Sequence, residues 1–138
     1  MIGRAAAVWL LLLVVAVGAG ALRVGLLEPR LGEPRAHVVG TLVVVAVFAA
    51  LIWRTVGWFC PSRDRSALAA VGVGWAVATV VFEFGFGRYV AGHSWQRLLA
   101  DYDVFAGRLW PLVLLTLLVM PVVAGEVQRR RLGPRSAR

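Results

Sequence analysis

The sequence predicts an all-α integral membrane protein: one domain built as a bundle of four spanning helices, with an additional amphipathic helix in the membrane interface between the third and fourth. Three observations carry this reading. The 138 residues are 60% hydrophobic and only 16% charged, a balance found in chains that live in lipid. Four apolar runs approach or exceed the length that crosses a bilayer, with short polar stretches between them. From Ser94 the pattern changes from uniformly apolar to one-sided, the mark of a helix lying on a membrane surface.

The first span covers residues 5–22. A short positive start precedes it, and Ala19-Gly20-Ala21 resembles a signal-peptidase site, but the run is long enough to cross and is read as a true span. Residues 26–37 hold Pro29, Gly32, Pro34, Glu28, Arg30, Glu33 and Arg35. They are expected to form a loop, because such a segment would leave polar groups unsatisfied in hydrocarbon. Pro34 equally suits the first turn of the next helix. The second span, residues 38–59, is about 33 Å long by the helical rise, enough to cross with modest tilt. Arg54 in its last turns can snorkel to the interface beside Trp53 and Trp58.

After a polar turn at residues 60–66 comes the third span, residues 67–86, with two rows of small residues. Ala70, Gly74 and Ala78 repeat every fourth position on one side, a spacing that lets membrane helices approach closely. Gly72, Ala76, Thr79 and Glu83 share the other side. Both sides are expected to be packed, the first against another helix of the chain or across a homodimer. Residues 94–106 form the interfacial helix. At about 100° per residue Trp95, Leu98, Leu99, Tyr102 and Phe105 fall in one apolar stripe, with Ser94 as its cap and Gly107 at its end. The fourth span, residues 109–125, is short at about 25 Å and carries Pro121 near its far end. A basic tail, residues 126–138, follows it.

All 15 basic residues are arginine, which reads as a coding bias rather than a chemical choice. The net charge of +8 would suggest nucleic acid in a soluble chain. Here the arginines flank apolar runs, where they set orientation and meet anionic lipid, so the expected partners are membrane lipids and a second copy or another membrane protein, not nucleic acid. Arginine counts favour cytoplasmic termini. Arg4, Arg54, Arg63, Arg65, Arg129, Arg130, Arg131, Arg135 and Arg138 lie on the terminal side, against Arg23, Arg30, Arg35, Arg88, Arg97 and Arg108 on the other. The lone Cys60 excludes an internal disulfide.

Residues 31–42, LGEPRAHVVGTL, and 82–115, FEFGFGRYVAGHSWQRLLADYDVFAGRLWPLVLL, resemble a family of small four-span bacterial membrane proteins. The resemblance implies the architecture and a bacterial cytoplasmic membrane. It implies no activity, cofactor or residue role.

Chemistry has to be sought in the polar residues themselves. Asp101 and Asp103 point about 160° apart on a helix and cannot flank one bond. His37 and His93 lack the spacing that fixes two metal ligands on one helix, so neither a metal nor a cofactor is expected. Glu83 is the costly residue, an acid within an apolar span, and such acids face a partner or a pathway. It is expected in a polar pocket on the outer face of the membrane with Arg88, His93, His37, Arg35 or Arg108, either as a structural ion pair with Arg88, Arg108 or Arg35, or a protonated acid bonded to backbone, or in a binding or proton-coupling role. No catalytic set is discernible. The expected function is therefore a non-enzymatic accessory, assembly or scaffold protein. Its alternatives are a small dimeric transporter coupled through Glu83 and an intramembrane enzyme using His93 and an acid.

Overall fold

The computed structural model describes residues 1–100 and 110–133, without the side chains of Leu98, Ala100 and Trp110. The chain is all-α. Helix α1 (Ile2–Leu22) runs on through a π-helical turn (Arg23–Leu27) into the single turn α2 (Glu28–Leu31), and α3 (Glu33–Phe59) follows directly. Then come α4 (Arg65–Gly85) with a second π-helical turn (Phe86–Val90), the short α5 (Trp95–Ala100), and α6 (Trp110–Leu132). Four of these stretches are long and apolar enough to cross a membrane: Ile2–Leu31, Glu33–Phe59, Arg65–Val90 and Pro111–Leu132.

Two expected boundaries are corrected. Residues 26–37 are not a loop: they are helical except at Gly32, whose φ of 80° makes the only break between the first two spans. Pro34 is accommodated because it occupies the first turn of α3, where the missing N–H has no partner to lose, and Pro29 directly follows the π-helical turn, where the helix has left its regular register. The glycine takes the positive φ that an L side chain resists. Likewise residues 126–132, assigned to a tail, extend α6 to Leu132. Glu126 supports that last stretch by receiving Arg129 Nη2 at 2.6 Å and Arg130 Nε at 3.1 Å, one turn further on. Pro121 sits inside α6 without ending it.

The turn between α3 and α4 is tight. Arg63 N donates to Cys60 O (3.0 Å), and Arg63 itself adopts a positive φ of 49°. Asp64 then caps α4, its Oδ2 accepting from Ala67 N at 3.0 Å and from Ser66 Oγ at 2.6 Å. The Ser66 hydroxyl first, and the Ala67 amide second, hold the Asp64 carboxyl below the usual carboxylate range.

In the bundle α6 packs along both α4 and α3, α1 packs on α3, and α1 also reaches α4. Buried positions on α3 (His37, Thr41, Val44, Phe48, Ile52, Val56, Phe59) repeat at steps of three or four residues, the spacing of one helical face. Their partners include Leu12, Leu68, Trp75, Val113, Leu117 and Ala124. Leu10, Leu11, Val14, Val43, Val77 and Val81 point outward, as expected of side chains that face lipid. Since apolar neighbours are as available in lipid as in a bundle, closeness of approach decides which faces associate. The tightest approach joins α4 to α6. A Cβ on Gly72 would collide with the carbonyl of Leu118, and one on Gly125 with the Leu68 side chain. Beside Gly72 also lies the carbonyl of Leu117, whose helical N–H partner Pro121 removes.

Two indole hydrogen bonds tie α1 to α4: Trp9 Nε1 donates to Thr79 Oγ1 and Trp75 Nε1 to Ala5 O, both at 3.0 Å. Phe59 meets Trp75 edge-on with centroids 5.3 Å apart. Thr55 and Thr116 satisfy themselves, donating to the carbonyls of Leu51 and Leu112 at 2.7 Å.

Candidate functional site

The face of α4 that enters the bundle reads Leu68, Gly72, Trp75, Thr79, and the next position in that progression is Glu83. Its side chain is half-buried and has an interaction partner. This agrees with its expected placement on a packed side. By the helical rise of about 1.5 Å per residue, Glu83 lies about 27 Å along α4 from Arg65, and Thr41 about 27 Å along α3 from Phe59. Glu83 is thus at the same end of the bundle as Thr41 and His37, both buried. His37, like Glu33 one turn earlier, also has an interaction partner.

Beyond Glu83 the helix loosens into the π-helical turn Phe86–Val90, and the chain reverses at Gly92 with φ of 71°. A π turn leaves the regular register and recurs at functional sites. Here it carries Arg88 and the segment leading to α5. His93 N donates to Gly87 O at 2.8 Å, closing the reversal, and the His93 side chain is half-buried. Ser94 caps α5 as its chemistry predicts, its Oγ accepting from Arg97 N at 3.2 Å. Trp95 is held from two directions: its ring stacks on Phe84 with centroids 6.1 Å apart, and the Arg88 guanidinium lies over it at 5.7 Å. Arg88 therefore serves the aromatic platform under α5. Trp95 and Leu99 are exposed on α5, as are Gln96 and Arg97.

The first π-helical turn, Arg23–Leu27, is at the same end. Arg23 pairs with Glu28 at 3.1 Å, and its methylenes lie against Gly40 of α3. Neither residue stood out among the site candidates, because an arginine at the end of an apolar run resembles any interfacial anchor. Arg35 is exposed. Arg108, Tyr102 and Phe105 lie outside the described residues, as does the Leu98 side chain, so the far wall of the expected pocket is not among the residues placed here.

The expected row Ala70, Gly74 and Ala78 faces the other way. Ala70 and Gly74 are exposed, Ala78 is half-buried, and nothing described stands within 4 Å of where a Gly74 Cβ would be. Of its two expected neighbours, a helix of the same chain is not seen among the described residues. Among those residues, too, no three His, Cys, Asp or Glu side chains gather closely enough to hold a metal ion. What the Glu83 end offers chemically is a carboxyl group at the edge of hydrocarbon, on the bundle side of its helix, beside the Thr79 hydroxyl one turn away and an irregular backbone beyond.

No protein-family model, no curated protein and no solved structure matches this chain.

Proposed function

We propose that this chain is a non-enzymatic membrane protein of accessory, assembly or scaffold type, acting by lateral association in the bilayer. The observation that carries the reading is the open side of α4. Ala70 and Gly74 are exposed and no atom of the described residues lies within 4 Å of where a Gly74 side chain would begin, so a second helix can approach the backbone closely. A lipid tail gains nothing from such a smooth strip, whereas a facing helix gains backbone-to-backbone contact. The occupant is a second copy or another membrane protein, and Glu83 keeps to the bundle side of α4, away from that seam. In a bacterial cytoplasmic membrane the arginine distribution puts both termini inside and Glu83 toward the outer face.

The test is disulfide trapping in native membranes, with Gly74→Cys in a Cys60→Ser background. A second copy on this face gives a crosslinked dimer on oxidation, which the same cysteine placed at lipid-facing Val14 does not give. A heterologous partner gives a mixed adduct instead. Equal crosslinking from both positions would remove the support for the face. Orientation is checked by reporter fusions at Leu31, Ser62, His93 and the carboxyl end, expected to read out, in, out, in.

A second reading, a small dimeric transporter coupled through Glu83, is favoured by the half-buried acid on the bundle side next to a π-helical turn. Glu83→Gln separates the two. Coupling predicts a nearly unchanged fold with lost proton-linked binding or flux across a ligand panel. A structural acid predicts reduced thermal stability with no pH-dependent ligand signal.

A further inference from the structure

The end of the bundle opposite Glu83 concentrates positive charge in a thin layer and compensates only part of it. Among the described residues Arg4, Arg54, Arg63, Arg65, Arg129, Arg130 and Arg131 gather there against two carboxylates, Asp64 and Glu126. Both acids are occupied within the fold, Asp64 by the α4 cap and Glu126 by two guanidinium groups at once.

Several of these arginines are held by neutral partners, which fix the side chain without cancelling its charge. Arg63 donates Nε and Nη2 to Gln128 Oε1, both at 3.2 Å, and Nη1 to Pro61 O at 3.2 Å. Gln128 is itself anchored, Nε2 donating to Trp53 O at 2.7 Å. Arg131 lies over the Trp53 ring at 5.5 Å, and Arg4 lies over the Trp58 ring at 5.4 Å while donating to Trp58 O at 3.0 Å. The absence of a side chain at Gly57 makes the room that Arg63 Nη2 occupies.

Between the α3–α4 turn and the end of α6 this layer opens into a cleft of about 510 Å³, lined by Pro61, Ser62, Arg63, Arg129, Leu132 and Gly133. Two of its walls are cationic, the Leu132 wall is apolar and exposed, and Trp53 and Trp58 mark the headgroup level of a bilayer beside it. We propose that this cleft binds the phosphate of an anionic phospholipid, with Arg63 as the preset cation and Arg129 as its partner across the opening. A phosphate accepts several N–H donors at once, which suits guanidinium groups that still have donors to offer. The exposed Leu132 suits the acyl-proximal part of a lipid better than a fully hydrated ion. Basic clefts at the ends of membrane bundles are suited to anionic headgroups in this way.

The full-length protein, in mild detergent, is titrated with phosphatidylglycerol, phosphatidylcholine or inorganic phosphate, and bound lipid is counted by native mass spectrometry with thermal stability recorded in parallel. The expected result is retention of phosphatidylglycerol over phosphatidylcholine. In Arg129→Gln that retention falls about fivefold, the factor supplied by one arginine near an anionic surface. Arg129→Lys keeps most of it, which separates loss of charge from misfolding. Arg30→Gln, at the opposite end of the bundle, leaves it unchanged. Equal retention of the two lipids, or equal loss in Arg129→Gln and Arg30→Gln, overturns the site. Stabilisation by inorganic phosphate matching that by phosphatidylglycerol overturns the choice of a lipid.

Discussion

Helix α4 presents two rows of small residues that differ in what they meet. Gly72 is buried against the α6 backbone, where a Cβ would strike the Leu118 carbonyl, while Gly74, on the other side of the same helix, is exposed with no described atom near the place of its missing Cβ. Local propensity is the same at both sites. The difference comes from α6, whose backbone at Leu117 and Leu118 runs against Gly72 and not against Gly74. A glycine is therefore required where a neighbouring backbone comes close, and is merely permissive where none does. The same division separates the two candidate surfaces: the packed row leads to Thr79 and Glu83, and the open row is the one on which a partner is proposed.

The sharpest way to break this comparison is Gly72→Leu. Nothing flexible faces Gly72, only backbone, so α4 and α6 must separate, and the loss should be about 3 kcal/mol or more. Thermal unfolding in detergent should show a large fall or no folded protein at all. A variant as stable as wild type would mean the two helices are not in contact at this level.

Smaller effects are expected from the links that bring α1 onto the packed side. Trp75→Phe removes the indole N–H bonded to Ala5 O and part of a buried ring, a loss of about 2 kcal/mol. Thr79→Val keeps the shape but strips Trp9 of its acceptor, a loss of about 0.6 kcal/mol, the average for side-chain hydrogen bonds between membrane helices. Equal losses from the two variants, measured by the same unfolding assay, would blur the distinction between ring packing and a single hydrogen bond.

Much of this division was legible in the sequence. The helical wheel separates Gly72, Thr79 and Glu83 from Ala70, Gly74 and Ala78, and Glu83 does lie on the bundle side. The Ser94 cap was legible as well, being local chemistry. The helix at residues 26–31 was not. Its prolines and charges signal a loop to any rule that does not know Pro34 will occupy a first turn and Pro29 will follow a π-helical one. Nor could the wheel tell which small row would be filled, because that depends on α6, some fifty residues further along. The cluster of Arg63, Gln128 and Trp53 is invisible for the same reason: it joins residues far apart in sequence, and a lone glutamine in a basic stretch carries no local signal.

The smallest effect on stability, and the most informative about the open side, belongs to Gly74→Leu. With nothing described within 4 Å, a leucine there projects outward, and as a surface change it should alter monomer unfolding by no more than about 0.5 kcal/mol. Its consequence should fall on association instead. A branched side chain on the line of closest approach holds a facing helix away and forfeits the contacts that drive pairing in lipid. Analytical ultracentrifugation or single-molecule photobleaching in bilayers should therefore show a lower oligomeric state at unchanged thermal stability, whereas Val14→Leu, on an exposed position of α1, changes neither. If Gly74→Leu lowers stability as much as Gly72→Leu does, the row is packed within the chain and the contrast between the two sides of α4 fails. Unchanged stability with unchanged assembly would leave the contrast in packing intact, and would remove Gly74 as the contact through which this protein associates.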